Sequence, residues 1–319
     1  MNLFIALIRL ISSFRISVRL TNADLPVKAV GRKAWARKAR AARRGSSVRL
    51  SLCNEVIREL SFERQCALAA GLGYGGLELA PFTFGDDAWR MPASKRAGIR
   101  KACADSGLAV SGLHWLLAAP AGLSITTADR AVWRKSVDVL RALVDLCAEL
   151  GGAYLVHGSP AQRRVATSDD ASRAEEAWIL AAEQAATAKV AYCIEPLARP
   201  DCNFVNTLAE AAEIVRRIGN PALRIMVDTL AASLMEPEPV ADAIRRWMPT
   251  GMMSHIQFND RNRRGPGQGD DKFAGIVRAL RETGYGGWIA MEPFVYEPDG
   301  PTCAARMIGY VAGLLEPGA

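Results

Sequence analysis

Glu195, Asp228, His255 and Glu292 are side chains of the types that bind divalent metals, and each stands at or near the end of a short apolar run. The runs read Val190-Ala-Tyr-Cys-Ile-Glu195-Pro, Arg224-Ile-Met-Val-Asp228, Met252-Met-Ser-His255-Ile-Gln-Phe and Trp288-Ile-Ala-Met-Glu292-Pro. Successive members lie 33, 27 and 37 residues apart, about the length of one strand, one helix and two loops. Four consecutive strand ends would then assemble one metal site. Three carboxylates and one imidazole form an oxygen-rich set suited to Mn²⁺, Mg²⁺ or Co²⁺ and tolerant of Zn²⁺. One divalent ion held through one atom of each residue keeps about two octahedral positions, room for two adjacent oxygens of a sugar, such as a carbonyl and its neighbouring hydroxyl. Binding of that kind makes the C–H beside the carbonyl more acidic. A carboxylate of suitable pKa can then remove the proton and return it. Glu195 and Glu292, three strands apart on a ring of eight, would approach the substrate from different sides. That permits epimerisation with one as base and the other as acid; a single-base aldose–ketose shift stays open on the same scaffold.

Further candidates surround this set. The chain has three histidines, His114, His157 and His255, and all fall at predicted strand ends. For His114 and His157, contact with substrate oxygens and a structural hydrogen bond beneath the loops are both open. Glu78, a charge inside a strand that should be buried, needs partners, and a mouth-facing substrate contact is the expectation. Arg261, in the loop after the seventh strand, is the candidate for binding a substrate hydroxyl, carboxylate or phosphate, whereas Arg263 and Arg264 read as solvated.

The elements that must position these residues alternate regularly from Val48 onward, which is the signature of βα units around a parallel sheet. Strands are predicted over 48–53, 75–80, 109–115, 153–157, 190–195, 224–228, 252–258 and 287–292. Helices are predicted over 61–71, 92–105, 129–149, 168–187, 207–218, 237–247, 271–283 and 301–315. Eight of each make a (β/α)8 TIM barrel the economical architecture. In such a barrel all strand C-termini open on one face, so the four candidate ligands come from strands five to eight. Ser61 and Asp129 read as helix N-caps. Gly71-Leu-Gly73-Tyr-Gly-Gly76 follows a helix and precedes a strand, the wrong order for a dinucleotide loop, so it reads as a C-cap and turn. The turn recurs as Gly284-Tyr-Gly-Gly287 before the eighth strand.

The formal net charge of +7 is unevenly placed. Residues 1–47 hold eleven Lys or Arg against one acid, Asp24, whereas residues 48–319, the expected catalytic domain, are net −3. The basicity is therefore a property of an N-terminal arm. It reads as a disordered extension or an upstream start, with a targeting peptide and a surface-binding helix as the other readings. Arg9, Arg15 and Arg19 interrupt its apolar stretch, so no stable membrane insertion is expected, and no nucleic acid partner. Seven cysteines without a Cys-x-x-Cys pair read as small buried residues in a reducing cytoplasm. A small-molecule substrate is the expected partner, with a homo-oligomer left open.

Together these segments resemble the sugar phosphate isomerase/epimerase family, the xylose isomerase-like barrels that include D-tagatose 3-epimerase, hydroxypyruvate isomerase and endonuclease IV. The resemblance covers roughly residues 48 to 315. It is carried by Ile194-Glu195-Pro196, Val227-Asp228-Thr229, Ser254-His255-x-Gln257-x-Asn259-Asp260-Arg261 and Met291-Glu292-Pro293-Phe294. It implies that Glu195, Asp228, His255 and Glu292 are metal ligands, that the two glutamates are the acid/base pair, and that Arg261 binds substrate. The expected activity is a metal-dependent isomerase or epimerase of a sugar, sugar phosphate or keto acid. Alternatives on the same barrel are an inosose or dehydroshikimate dehydratase, an endonuclease IV-like phosphodiesterase, which would need more histidines, and a non-catalytic binding protein. One position departs from the ketose 3-epimerases that the chain resembles. Where they carry a substrate-binding His three residues after the strand-six Asp, this chain has Ala231.

Overall fold

The structure, a computed structural model, describes residues 48–316; the basic arm over residues 1–47 lies outside them. Eight parallel strands form a closed barrel in sequence order, and the last pairs with the first. They are β1 (Arg49–Cys53), β2 (Gly76–Leu79), β3 (Ala109–Leu113), β4 (Tyr154–His157), β5 (Ala191–Ile194), β6 (Leu223–Asp228), β7 (Met253–Phe258) and β8 (Trp288–Met291). The helices are α1 (Phe62–Leu72), α2 (Ala93–Asp105), α3 (Arg130–Leu150), α4 (Ser168–Ala188), α5 (Leu208–Ile218), α6 (Thr229–Met235), α7 (Val240–Trp247), α8 (Phe273–Glu282) and α9 (Gly300–Leu314). Each expected strand and helix has its counterpart. The short α6 was not expected, and α7 starts three residues later than its predicted limit. The cause is local: the Asp228 side chain accepts the Ala231 N–H at 2.7 Å and so caps α6, while Pro237 and Pro239 keep α6 and α7 apart.

The helices form where capping and an apolar stripe agree. In α3 the buried residues Trp133, Val137, Leu140, Val144 and Cys147 recur every three or four positions, the spacing of one helical face. Asp129 accepts the N–H groups of Ala131 and Val132 at its start, and Gly151, at φ 82°, ends it in the left-handed region. Thr167 and Asp170 close a reciprocal capping box at the start of α4; a cap of this kind stabilises a helix by about 1 kcal/mol. The predicted turn glycines Gly73 and Gly284 have φ of 101° and 69°.

Apolar packing divides into two parts. The larger core lies between the outer strand faces and the helices. A smaller cluster, Tyr154, Val156, Cys193, Met226 and Trp288, packs separately and closes the lower end of the barrel. Gly76 is required there, because a Cβ would strike the Trp288 ring at 2.9 Å. The Arg49 guanidinium lies over that indole, 4.3 Å from its centroid. Above this plug the interior is polar. All seven cysteines are buried and free. Among the described residues no helix is long and apolar enough to cross a membrane.

Candidate metal centre and the polar network beneath it

Glu195 follows the last residue of β5, Asp228 ends β6 and Glu292 follows the last residue of β8. Their carboxylate oxygens lie within 4.8 Å of one another, and the three residues are only 8%, 4% and 4% exposed. Each is held by different means. Gly158, just past β4, leaves the space that Glu195 occupies, since a Cβ there would collide with its Oε2. Arg163, wholly buried, donates to the main-chain oxygens of both His157 and Glu195 and so ties the ends of β4 and β5 together. Asp228 accepts the Ala231 N–H through Oδ1, and Asn259 Nδ2 through Oδ2 at 2.7 Å. Asn259 is itself oriented by the Leu230 N–H at its Oδ1. Glu292 Oε1 lies 3.0 Å from His114 Nδ1, whereas Glu292 Oε2 is buried without a partner.

The three buried carboxylates raise one another and suffer from burial together. Burial, then the charges of Glu292 and Asp228, push the Glu195 carboxyl well above its ordinary range. Burial raises Asp228 to about 6 against the hydrogen bonds from Ala231 and Asn259. It raises Glu292 to about 8 although His114 pulls the other way. Three carboxylates crowded out of water hold their protons unless a positive ion replaces them.

His255 is not in this group. The β6–β7 register slips at Ile225/Met226, so that Met226 faces His255 and Asp228 faces Gln257. His255 therefore lies one inward layer lower, stacked on the Tyr154 ring at 3.8 Å with its Nε2 2.9 Å from Glu78 Oε2. The residue level with Asp228 is Gln257, fully buried. Its Nε2 donates to Glu78 Oε1 at 2.7 Å, and its Oε1 has no partner. An amide oxygen is a hard neutral ligand, a donor that Gln257 offers at the register of Asp228. Both side chains face inward because they are two apart on one strand; the strand simply runs farther than its sequence suggests.

The remaining candidates divide. Glu78 lies inside the barrel, fully buried, accepts hydrogen bonds from Tyr154 Oη and Gln257 Nε2, and has His255 Nε2 2.9 Å from its Oε2. Burial alone would raise its carboxyl, but His255, His114 and Tyr154 outweigh it and hold it at about 2. His114 does reach the site: Nε2 is 3.0 Å from Glu55 Oε2, and Nδ1 faces Glu292 and Glu78. Against the effect of burial, Glu55 and its other neighbours push the His114 imidazole well above its usual value. His157 points the other way, outward to α4, where Trp178 Nε1 donates to its Nδ1 at 3.1 Å beside the Tyr192 hydroxyl. Burial and then Arg163 hold its pKa down, and its Nε2 is buried without a partner.

In the loop after β7, Arg261 is exposed and paired with Asp271 at 2.6 Å. Arg263, which reads as solvated in sequence, is the better anchored. Its main-chain oxygen accepts Phe294 and Val295 N–H from the loop after β8. Its guanidinium bonds Asp201 of the loop after β5. Glu55, Gln257 and Arg163 were missed. Glu55 could have been found, since it continues the alternation of the buried Ser51 and Cys53 past the end of β1. Its Oε1 is buried without a partner beside His114.

This geometry agrees with the relationships of the chain. Residues 66–310 match the xylose isomerase-like TIM barrel family, to which the chain belongs. An L-ribulose 3-epimerase of Mesorhizobium japonicum is 30% identical over 204 residues, covering 63% of this chain and 67% of the relative. A probable ketose 3-epimerase of Synechocystis sp. is 26% identical, covering 60% and 68%. Among solved structures, a D-psicose 3-epimerase in the presence of D-fructose superposes with a TM-score of 0.72 at 21% identity, over 84% of this chain and 99% of that one. An L-ribulose 3-epimerase gives 0.73 at 24% identity, over 84% and 94%. At these identities the superpositions speak for the fold.

Proposed function

We propose that this chain is a sugar isomerase or epimerase that acts on a neutral ketose, with one divalent metal ion held by Glu195, Asp228, Glu292 and Gln257. The observation that carries the reading is the buried trio with an orphaned oxygen of its own, Glu292 Oε2, and an orphaned Gln257 Oε1 at the register of Asp228. The donor set of three carboxylates and an amide oxygen fits Mn²⁺, Mg²⁺ or Co²⁺ better than Zn²⁺. When bound, such an ion supplies Lewis acidity to a ketose carbonyl. Glu195 and Glu292, on the β5 and β8 sides, serve as the acid/base pair. Burial shifts both carboxyls upward, Glu292 to about 8, the direction that the role needs. Glu55 and His114 line the wall beside Glu292 and offer hydrogen bonds to substrate hydroxyls.

The charge around the mouth supports a substrate without a phosphate. Arg261, Arg263 and Arg264 of the loop after β7 are each committed to a carboxylate, Asp271, Asp201 and Glu297 respectively. Ala231, buried beside Asp228, offers no side-chain donor, so this chain reads its sugar differently from enzymes with a His there. A multi-zinc phosphodiesterase gains no support, because among the described residues His114 is the one histidine that contacts the trio.

The test is solvent-deuterium exchange into a panel of free ketoses and sugar phosphates by the Mn²⁺-loaded protein. We expect exchange into at least one free ketose, reduced about 10²–10⁴-fold by Glu195→Gln or Glu292→Gln. Exchange at the wild-type rate in both variants would remove the acid/base assignment, and exchange confined to sugar phosphates would remove the neutral-substrate one.

A further inference from the structure

We infer that Glu78 is a positioning residue whose carboxylate decides which end of the Gln257 carboxamide faces the carboxylate trio. The inference rests on the metal reading above and extends it to a residue that touches neither ion nor substrate.

A carboxamide has two ends of nearly equal size and opposite chemistry. Its oxygen can bind a cation, and its NH₂ group repels one. Asp228 and Ala290, the register neighbours of Gln257 on β6 and β8, pair with its backbone and leave that choice open. Glu78 makes it from below. It is wholly buried on β2, it accepts hydrogen bonds from Tyr154 Oη and Gln257 Nε2, and His255 Nε2 lies 2.9 Å from its Oε2; Gln257 Nε2 also lies 3.4 Å from His114 Nδ1. A carboxylate so surrounded accepts hydrogen bonds and donates none. The amide must therefore turn Nε2 toward Glu78, at 2.7 Å, and leave Oε1 free, which is the buried oxygen without a partner. The reversed amide would set oxygen against oxygen at Glu78 and aim N–H groups at the ion. This also accounts for a charged side chain in a barrel interior, where an apolar residue would leave Gln257 Nε2 without its acceptor. Tyr154 and His255, stacked on one another, fix Glu78 in turn. Outer partners of metal ligands act in this way, and their loss weakens metal binding about 10–100-fold.

The experiment is a double-mutant cycle read by Mn²⁺ affinity of the metal-free protein, measured by competition with a chromogenic chelator. Glu78→Gln replaces the obligate acceptor by a group of the same shape that accepts or donates. We expect Mn²⁺ to bind about 10–100-fold more weakly to this variant. In a Gln257→Ala background, where no amide remains to be oriented, the same change should alter affinity less than about three-fold. An equal loss in both backgrounds would mean that Glu78 acts on the fold in general, and no loss in the wild-type background would mean that it does not act on the site; either overturns the inference. If Glu78→Gln fails to fold by circular dichroism, a crystal structure of the wild-type protein with Mn²⁺ decides. Gln257 Oε1 on the ion with Nε2 on Glu78 supports the inference, and any other orientation overturns it. A wild-type protein that binds no Mn²⁺, Mg²⁺ or Co²⁺ overturns the metal reading itself, a result distinct from affinity that is indifferent to Glu78.

Discussion

The carboxylate trio should make the metal-free protein less stable as pH rises from 5 to 8, against the usual behaviour of acidic groups. Asp228 at about 6 and Glu292 at about 8 lie above their ordinary values of 3.8 and 4.5. The folded state therefore binds more protons than the unfolded state in this window, and stability falls with pH. The contribution is fully present below the unfolded pKa values and lost as pH climbs through the folded ones. His114, raised in the fold, loses its contribution in the same direction; His157, lowered, opposes it near pH 6.5. Glu292 taken alone would amount to about 5 kcal/mol at roughly 1.4 kcal/mol per pKa unit. The three groups share one repulsion, which their separate shifts count more than once, so about 3 kcal/mol is the expected loss for the cluster. In a chain of this size that corresponds to about 6–12 °C in melting temperature. The assay is thermal unfolding of chelator-treated protein at pH 5, 6, 7 and 8, alone and with saturating Mn²⁺. An ion that binds the deprotonated trio should flatten or reverse the slope. Glu292→Gln should flatten it without metal. A metal-free melting temperature that rises from pH 5 to 8, in wild type and variant alike, would refute the reasoning.

Other outcomes follow from single contacts. Gly158→Ala should displace Glu195 and weaken Mn²⁺ binding by an order of magnitude or more while circular dichroism stays native; unchanged affinity would show that Glu195 has room to spare. Trp288→Ala empties the barrel plug and should cost about 3–5 kcal/mol in denaturant unfolding, with metal affinity in the surviving folded protein unaltered. Arg163→Met leaves the strand-end oxygens of His157 and Glu195 without their donor, and should lower stability by about 1–3 kcal/mol; a gain in stability would show that desolvating this guanidinium outweighs its hydrogen bonds.

Much of this architecture is legible in the sequence because its determinants are local. Eight apolar runs at βα spacing define the strands, and the glycine turns before β2 and β8 mark two of the junctions. Glu195, Asp228 and Glu292 converge because each directly follows or ends its run, where every strand of such a barrel opens on the same face. The N-cap at Asp129 is equally local, and its side chain makes the expected bonds. Ser61 sits at the N-cap position without a side-chain bond, since position alone does not compel the hydroxyl to turn inward.

What was not legible depends on height within the barrel, which no single strand encodes. His255 and Gln257 share one face of β7, and apolar patterning cannot rank them. Their levels are set by the slipped pairing at Ile225/Met226 on the neighbouring strand, a non-local event. Glu78 misleads for the same reason: a charge in a strand suggests an exit to solvent, but here Tyr154, His255 and Gln257 meet it inside. The loops present a related difficulty. Arg261 and Arg263 are indistinguishable by composition, yet Arg263 has a φ of 67°, and that left-handed backbone turns its carbonyl to the N–H groups that follow Glu292. A residue's partners in this barrel are decided by the layer it occupies. The apolar plug at the bottom can hold the fold by burial alone, and the polar layer above it is free to be arranged around the charges that the trio requires.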